Sequence, residues 1–186
     1  MHAKFEILLD ELERWNRKVN LTAIRDRAEM VTAHIEDSLS ARPLLHGVRI
    51  LDIGTGAGFP GLPLAIVEPD REFTLLDSNN KKIQFVQHAA GMLGLDNVVA
   101  VRARAEDYAP GHRFDTVIAR AVASLAQLLE IAGHHVGEGG VFVALKGRYT
   151  EEELEQVPDT WQCNVRELTV PGLEAGSRHA VLIERV

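Results

Sequence analysis

The segment Ile50-Leu-Asp-Ile-Gly-Thr-Gly-Ala-Gly-Phe-Pro-Gly61 constrains the fold of this chain more than any other. A short apolar run ends at Asp52 and passes into Gly54, Gly56 and Gly58, so a strand must feed a turn too tight for side chains. Pro60 and Pro63 follow. Proline is tolerated in a first helical turn, where its missing N–H would be unbonded anyway, and this predicts a helix starting near Phe59 or Pro60. Strand, glycine turn and helix in that order can cradle a nucleotide: bare backbone admits a ligand closely, and the helix N-terminus presents unpaired N–H groups.

Two ligand-binding spacings fit this turn. Gly56-Ala-Gly58-Phe-Pro-Gly61 matches the dinucleotide pattern G-x-G-x-x-G, and Asp77 closes the next strand 19 residues after Gly58, where a ribose-binding acid belongs. Asp52-x-Gly54-x-Gly56-x-Gly58, an acid at a strand end followed by three alternating glycines, resembles instead the first motif of class I S-adenosylmethionine methyltransferases. That resemblance implies that the backbone from Gly54 through Thr55 and Gly56 to Gly58 lies beside the methionine and ribose of the cofactor. It also implies that Asp77, next to Ser78, binds both ribose hydroxyls. A turn with no ligand is the third reading, although each spare glycine costs about 0.5–1 kcal/mol in backbone entropy.

With 186 residues and 46% apolar content the chain suits one globular domain with a full core. There is no room for a second large catalytic domain, which counts against a typical dehydrogenase. The lone Cys163 cannot form an internal disulfide, and no Cys/His cluster has zinc spacing, so a cytoplasmic protein without a metal site is expected. The opening Met1-His-Ala-Lys-Phe-Glu lacks a charged-then-apolar signal pattern, and no apolar run approaches about 18 residues. Neither export nor membrane spanning is expected.

Periodicity organises the rest. Phe5, Leu8, Leu9, Leu12 and Trp15 recur at helical steps, Met30, His34, Leu39 and Leu44 suggest a second helical stretch, and Asn20-Leu-Thr-Ala-Ile joins them. Strands read at 49–53, 73–76, 98–102, 114–119, 141–146, 165–170 and 180–184, with helical patterns at Lys81–Leu93 and Ser124–Val136. The expectation is an α/β fold: a mainly parallel, seven-stranded, doubly wound sheet over residues 48–186, capped by helices over residues 1–47. Glu151-Glu-Glu reads as a solvated first helical turn.

Several further segments carry a family resemblance. They are Trp15-Asn-x-x-x-Asn20-Leu-Thr-x-Ile-Arg25-Asp, His34-Ile-x-Asp37-Ser38, Asp52-Ile-Gly-Thr-Gly-x-Gly-x-Pro-Gly, Thr74-Leu-Leu-Asp77-Ser78, Phe114-Asp-x-Val-Ile-x-Arg120-Ala and Ala144-Leu-Lys146-Gly. Together they resemble the ribosomal RNA small-subunit methyltransferase G family, also called the glucose-inhibited division protein B family. The resemblance runs from about Leu12 to the C-terminus. Family members usually carry a further helical stretch ahead of the point where this chain starts, so part of the family's N-terminal surface is expected to be missing.

The resemblance implies methyl transfer from S-adenosylmethionine to N7 of one guanine in 16S ribosomal RNA, in the 30S subunit or its precursor, by a monomer. One feature agrees independently. Enzymes of this fold that methylate exocyclic amines commonly place an Asn- or Asp-Pro-Pro-aromatic motif after the fourth strand, where this chain reads Ile118-Ala-Arg120-Ala-Val. N7 has a free lone pair and needs no proton removed, so no acid/base dyad is required and positioning supplies most of the rate. The commonest guanine contact, bidentate Arg to O6 and N7, would block the nucleophile; O6 alone, the Watson–Crick edge or stacking must hold the base.

Arg120 and Lys146 end successive strands, where such sheets bind ligands, and are the candidates for donating to O6 or a phosphate; the resemblance also sets Arg120 near the cofactor. In the family Ala105 and Glu106 flank the adenine, although Glu106 reads equally as an exposed acid at a helix start. Phe59 packs on the cofactor or staples its helix to the sheet. Asn20, Arg25, His34, Asp37 and Arg104 are candidates for the RNA-facing wall; the bland alternative has Asn20 capping a helix and His34 pairing locally with Asp37. His134-His135 reads as structural.

Net charge, −7 overall, does not advertise an RNA binder. Residues 1–49 hold eight basic and eight acidic residues, so the deficit lies in the sheet region. Arg14, Arg17, Lys18, Arg25 and Arg27, joined by Arg102, Arg104, Lys146, Arg148 and Arg178, are the candidate phosphate-binding rim, with solvated surface charge the alternative for any one of them. Two rival functions remain at this point: a methyltransferase acting on a small molecule or protein, and a nicotinamide-dinucleotide-binding regulator.

Overall fold

The computed structural model describes residues 3–120 and 123–186; Ala121 and Val122, the last two of the segment read after the fourth strand, lie outside the described residues. Seven strands form one sheet: β1 Arg49–Ile53, β2 Glu72–Asp77, β3 Val98–Arg102, β4 Phe114–Arg120, β5 Val136–Lys146, β6 Trp161–Glu167 and β7 His179–Arg185. Their order is β3-β2-β1-β4-β5-β7-β6. Every pairing from β3 across to β5 is parallel, and β7 runs antiparallel to both β5 and β6. Because the chain leaves β1 toward β3 and returns to β4, the topology switches between β1 and β4, and the carboxyl ends Ile53, Asp77, Arg102, Arg120 and Lys146 share one edge.

The central strands are buried on both faces, as parallel strands flanked by helices must be. Ile50 belongs to one apolar cluster with Leu8, Leu12, Leu62 and Phe85, and its neighbour Leu51 to another with Leu125, Leu129 and Phe142. The first cluster fastens α1 (Ala3–Asn16) to the sheet through α4 (Gly61–Val67) and α5 (Asn80–Leu93). Trp15 meets Phe85 edge-on at 5.6 Å. On the other face lies α6 (Leu125–Ala132), opened by a capping box between Ser124 and Gln127. A short α7 (Glu151–Glu155) precedes β6.

Four elements differ from expectation, each for a local reason. The second helical stretch is one run from Arg27 to Leu39, composed of α2 (Arg27–Met30), a π-helical segment Val31–Glu36 and α3 (Asp37–Leu39), and Leu44 lies beyond it in a separate 3₁₀ turn Arg42–Leu44. The helix after the glycine turn begins at Gly61 with Pro60 at its cap, within a residue of the expected start. β5 begins at Val136 rather than Val141, and α6 ends correspondingly at Ala132; Gly137-Glu-Gly-Gly hides the strand because a Cβ on Gly140 would meet Asp115 O at 2.9 Å and Phe114 O at 3.0 Å. β6 lies at 161–167 rather than 165–170: it is an edge strand whose alternately exposed residues carry little apolar signal. Among the described residues no helix is long and apolar enough to cross a membrane.

Candidate active site

The acid one residue before the end of β1 organises the glycine turn from below. Asp52 is fully buried; its Oδ2 accepts from Thr55 Oγ1 at 2.6 Å and from the Gly61 N–H at 2.9 Å, and burial pushes its pKa up to about 7. The Thr55 N–H in turn donates to Leu76 O at 3.0 Å, tying the turn to β2. The side chains of Asp52, Thr55 and Phe59 are thus all buried beneath the turn. The first N–H of α4 is taken by Asp52, not left unpaired as the sequence suggested.

The glycines divide into two jobs. Gly58 and Gly61 exist for packing: a Cβ on Gly58 would meet Leu62 at 2.3 Å, and one on Gly61 would meet Leu75 at 2.7 Å and Asp52 Oδ2 at 2.8 Å. Gly54 and Gly56, at φ +64° and +61°, face open space: a Cβ on Gly54 finds nothing within 4 Å, and one on Gly56 only Gly54 O at 3.9 Å. Above them opens a cleft of about 330 Å³, lined by Gly54, Leu76, Asp77, Ser78, Lys82, Arg104, Ala105 and Glu106 together with Ile53, Ala103 and Ile131. Asp77 is fixed in its wall by the Gly56 N–H at 3.0 Å and the Asn79 N–H at 2.8 Å, with Lys82 Nζ 3.7 Å away. A carboxylate beside a side-chain-free backbone and apolar Ile53, Leu76 and Ile131 fit a ribose and an adenine, so the residues present suit an adenosyl cofactor.

A second cleft, about 360 Å³, stands at the same sheet edge and is lined by Ile24, Ala33, His34, Asp37, Arg120, Leu145, Lys146, Gly147 and Arg178. Asp37, almost wholly buried, joins two of its cations: Oδ1 pairs with Arg178 Nε at 2.7 Å and Oδ2 with Arg120 Nη1 at 3.5 Å. Arg120 also donates to Ala33 O at 3.0 Å, and its guanidinium lies 5.8 Å from the Phe59 ring centroid. His34 does not pair with Asp37. It stacks on Phe59 and shares a 3.0 Å hydrogen bond with Thr22 Oγ1; burial, then the Arg120 charge, lower its pKa to about 4.

Lys146 is not a bare point charge at a strand end. Its Nζ is ion-paired with Glu153 and donates to Ala123 O at 3.2 Å. Glu153 is therefore no solvated first-turn acid, since it also accepts from the Leu125 N–H at 3.1 Å. Asn20 is exposed and lines neither cleft, and Arg25 Nη1 reaches Asn16 O at 3.3 Å. The expected rim is thinned by internal pairs: Arg14 with Glu11, Arg27 with Glu6, Asp10 and Glu13, and Arg104 with Glu106 on the first cleft's wall.

Sequence reasoning gave no role to Asn16, read His135 only as structural and took Glu153 for a solvated acid. Asn16 accepts from the Leu21 and Thr22 N–H groups and donates to Thr22 O, holding the loop that carries Thr22 to His34. The signal was its place one helical step past Leu12 on the buried stripe. His135 Nε2 lies 2.8 Å from Ala105 O, bracing the first cleft, and Glu153 carried no signal beyond its charge. Among the described residues no group of three His, Cys, Asp or Glu could hold a metal.

The description "rRNA small subunit methyltransferase G" belongs to the family model that matches residues 1–181. Ribosomal RNA small subunit methyltransferase G of Idiomarina loihiensis is 49% identical over 179 residues, covering 96% of this chain and 86% of that protein. The Methylococcus capsulatus protein of the same name is 51% identical over 171 residues, covering 92% of this chain and 83% of its own length. A ribosomal protein L11 methylase from Lactobacillus delbrueckii subsp. bulgaricus superposes with a TM-score of 0.62 at 16% identity, over 81% of this chain and 76% of that one, a likeness of fold alone. The dinucleotide spacing of the turn therefore gives way to the methyltransferase one, with S-adenosylmethionine as methyl donor. By sequence across nearly its whole length, and by fold, the chain belongs to the ribosomal RNA small-subunit methyltransferase G family.

Proposed function

We propose that this enzyme methylates N7 of a guanine in 16S ribosomal RNA, working as a monomer in the cytoplasm on the 30S subunit or a precursor of it. One observation carries the reading: the second cleft is lined by Arg120, Lys146 and Arg178, whose pairs with Asp37 and Glu153 leave one unit of positive charge, and its one lining acid, Asp37, is already committed to two arginines. Such a cleft suits a polyanionic substrate whose nucleophile needs no base, and N7 is such a nucleophile. Bound over Gly54 and Gly56, S-adenosylmethionine supplies a sulfonium-activated methyl group. The chain's own part is placement: Asp77 and Ser78 would hold the ribose, Ala105 and Glu106 would border the adenine, Asp52 and Thr55 keep the turn in shape, and Arg120, held against Phe59 and Ala33 O, would help orient the base in the second cleft.

Transfer of a tritiated methyl group to unmodified 16S RNA and to 30S particles, followed by digestion to nucleosides, tests this. N7-methylguanosine from the RNA of one of them is the expected product. Label in another nucleoside, or in protein or a small metabolite only, overturns the proposal.

A further inference from the structure

A guanine attacked through N7 can be read in its plane only at O6 and at the N1–H and N2 amino donors. The reaction also changes its charge. The N7 lone pair forms the bond to the methyl carbon, the carbon–sulfur bond breaks with its electron pair left on sulfur, and no proton departs, so the base becomes a cation. A bare ammonium close to that charge would oppose its development. An unpaired lysine would be a poor guanine reader here.

Lys146 is paired. Its side chain and that of Glu153 are 8% and 16% exposed and in direct contact, and Lys146 lines the second cleft. Both of the carboxylate's other partners are accounted for on one oxygen: Oε1 takes Lys146 and the Leu125 N–H, and Oε2 takes neither. Thr150 Oγ1 accepts from the Glu153 N–H at 3.2 Å, capping α7 and fixing where the glutamate starts. The result is a donor and an acceptor side by side with no net charge between them. The edge of guanine has the complementary order, the O6 acceptor followed by the N1–H donor.

We propose that Lys146 and Glu153 act together as the guanine-reading pair, Lys146 donating to O6 while Glu153 accepts from N1–H and the N2 amine. This rests on the guanine-N7 reading above and makes Glu153 a specificity-determining residue. N7 stays free, the pair's neutrality avoids repelling the nascent cation, and the carboxylate attracts the N1–H edge more strongly as positive charge develops there. Adenine, with an amine at position 6 and a bare N1, would set donor against donor and acceptor against acceptor.

The test uses 30S particles reconstituted with guanosine or inosine at the methylated position, assayed for single-turnover transfer. Inosine keeps N7, O6 and N1–H and lacks only the N2 amine. Wild type should methylate the inosine particle about 5- to 150-fold more slowly, the range of one base contact. In Glu153→Ala the inosine rate should fall, because N1–H loses its acceptor and Lys146 its counter-charge, and the guanosine rate should fall further because the N2 contact is lost as well, so the ratio collapses toward one. S-adenosylmethionine affinity should stay unchanged, since Glu153 does not line the first cleft. A variant that keeps the wild-type ratio overturns the proposal and leaves the ion pair a tie between β5 and α7. Should the variant fail to fold, the wild-type ratio decides: a value near one overturns the pair, and a value in the expected range supports it. Wild type that yields no N7-methylguanosine from the guanosine particle overturns the guanine reading itself, and this inference with it.

Discussion

His34 lies flat on Phe59, ring centroids 4.5 Å apart and planes 13° from parallel. One ring belongs to the π-helical segment of the cap and the other to the glycine turn, so this contact transmits the position of the cap to the backbone beneath the cofactor cleft. The imidazole in the stack is buried, and burial favours its neutral form. Burial is the main cause of its pKa falling from 6.5 to about 4, with Arg120 adding to it.

A pH dependence follows from the sign of that shift. The folded protein favours neutral His34, so its contribution to stability is complete above pH 6.5 and drains away as pH falls toward 4, by up to about 1.4 kcal/mol per unit. Urea midpoints of wild type and His34→Phe, measured at pH 7.5, 6 and 5, check this: wild type should lose more stability across the series. Parallel losses would mean that His34 is not held neutral in the fold.

The division of labour among the glycines predicts two different lesions. Gly54→Ala adds a methyl group to open space at φ +64° and should fold with a loss of about 1–2 kcal/mol, yet bind S-adenosylmethionine at least tenfold more weakly because the methyl enters the cradle. Gly58→Ala drives a Cβ to 2.3 Å from Leu62 and should lower the melting temperature far more. Calorimetry beside thermal unfolding separates the two. Tight binding by a folded Gly54→Ala protein would sink the cofactor placement.

Legibility in the sequence followed the kind of signal each feature left. The glycine turn, Asp77 and strand β1 were readable because tight turns and two-sided burial restrict residue type along short stretches, and edge strand β3 because its Val-Val-Ala-Val run is rich in β-branched residues. Asp52 was readable as an acid but not in its role, since the motif does not say whether the carboxylate points at a ligand or into the turn. The Lys146–Glu153 and Asp37–Arg178 pairs join residues across the fold, and no periodicity records such meetings. Edge strand β6 was misplaced because its pairing with β7, more than its own burial, fixes it.

Asp52 gives a second pH test of opposite sign. With the folded pKa raised from 3.8 to about 7, its protonated form favours the fold, so its contribution is complete below pH 3.8 and is lost as pH rises through about 7. Asp52→Asn keeps an acceptor for Thr55 and Gly61 without the buried charge. Relative to wild type it should therefore gain about 1 kcal/mol or more in stability between pH 5 and pH 8. Cofactor affinity should change little, because the side chain is fully buried under the turn. A large affinity loss with unchanged stability would mean that Asp52 reaches the cofactor directly.

His135 allows the first cleft to be loosened from behind. Its ring is buried, with rings of Tyr108 at 5.7 Å and His134 at 4.0 Å, and its Nε2 is 2.8 Å from Ala105 O; donation from Nε2 puts the proton there. Burial lowers its pKa, which favours this neutral tautomer at physiological pH. His135→Phe keeps the packing and removes the donor, leaving a carbonyl unpaired at a cost of about 1–3 kcal/mol. The loop carrying Ala105 and Glu106 would then no longer be held against the cleft, and the dissociation constant for S-adenosylmethionine should rise about tenfold while turnover at saturating cofactor stays close to wild type. His135→Gln, whose amide can donate to the same carbonyl, should recover part of the affinity. An equal fall in stability with no change in cofactor affinity, in both variants, would reduce His135 to a packing residue and leave the adenine wall supported by Ala105 and Glu106 alone.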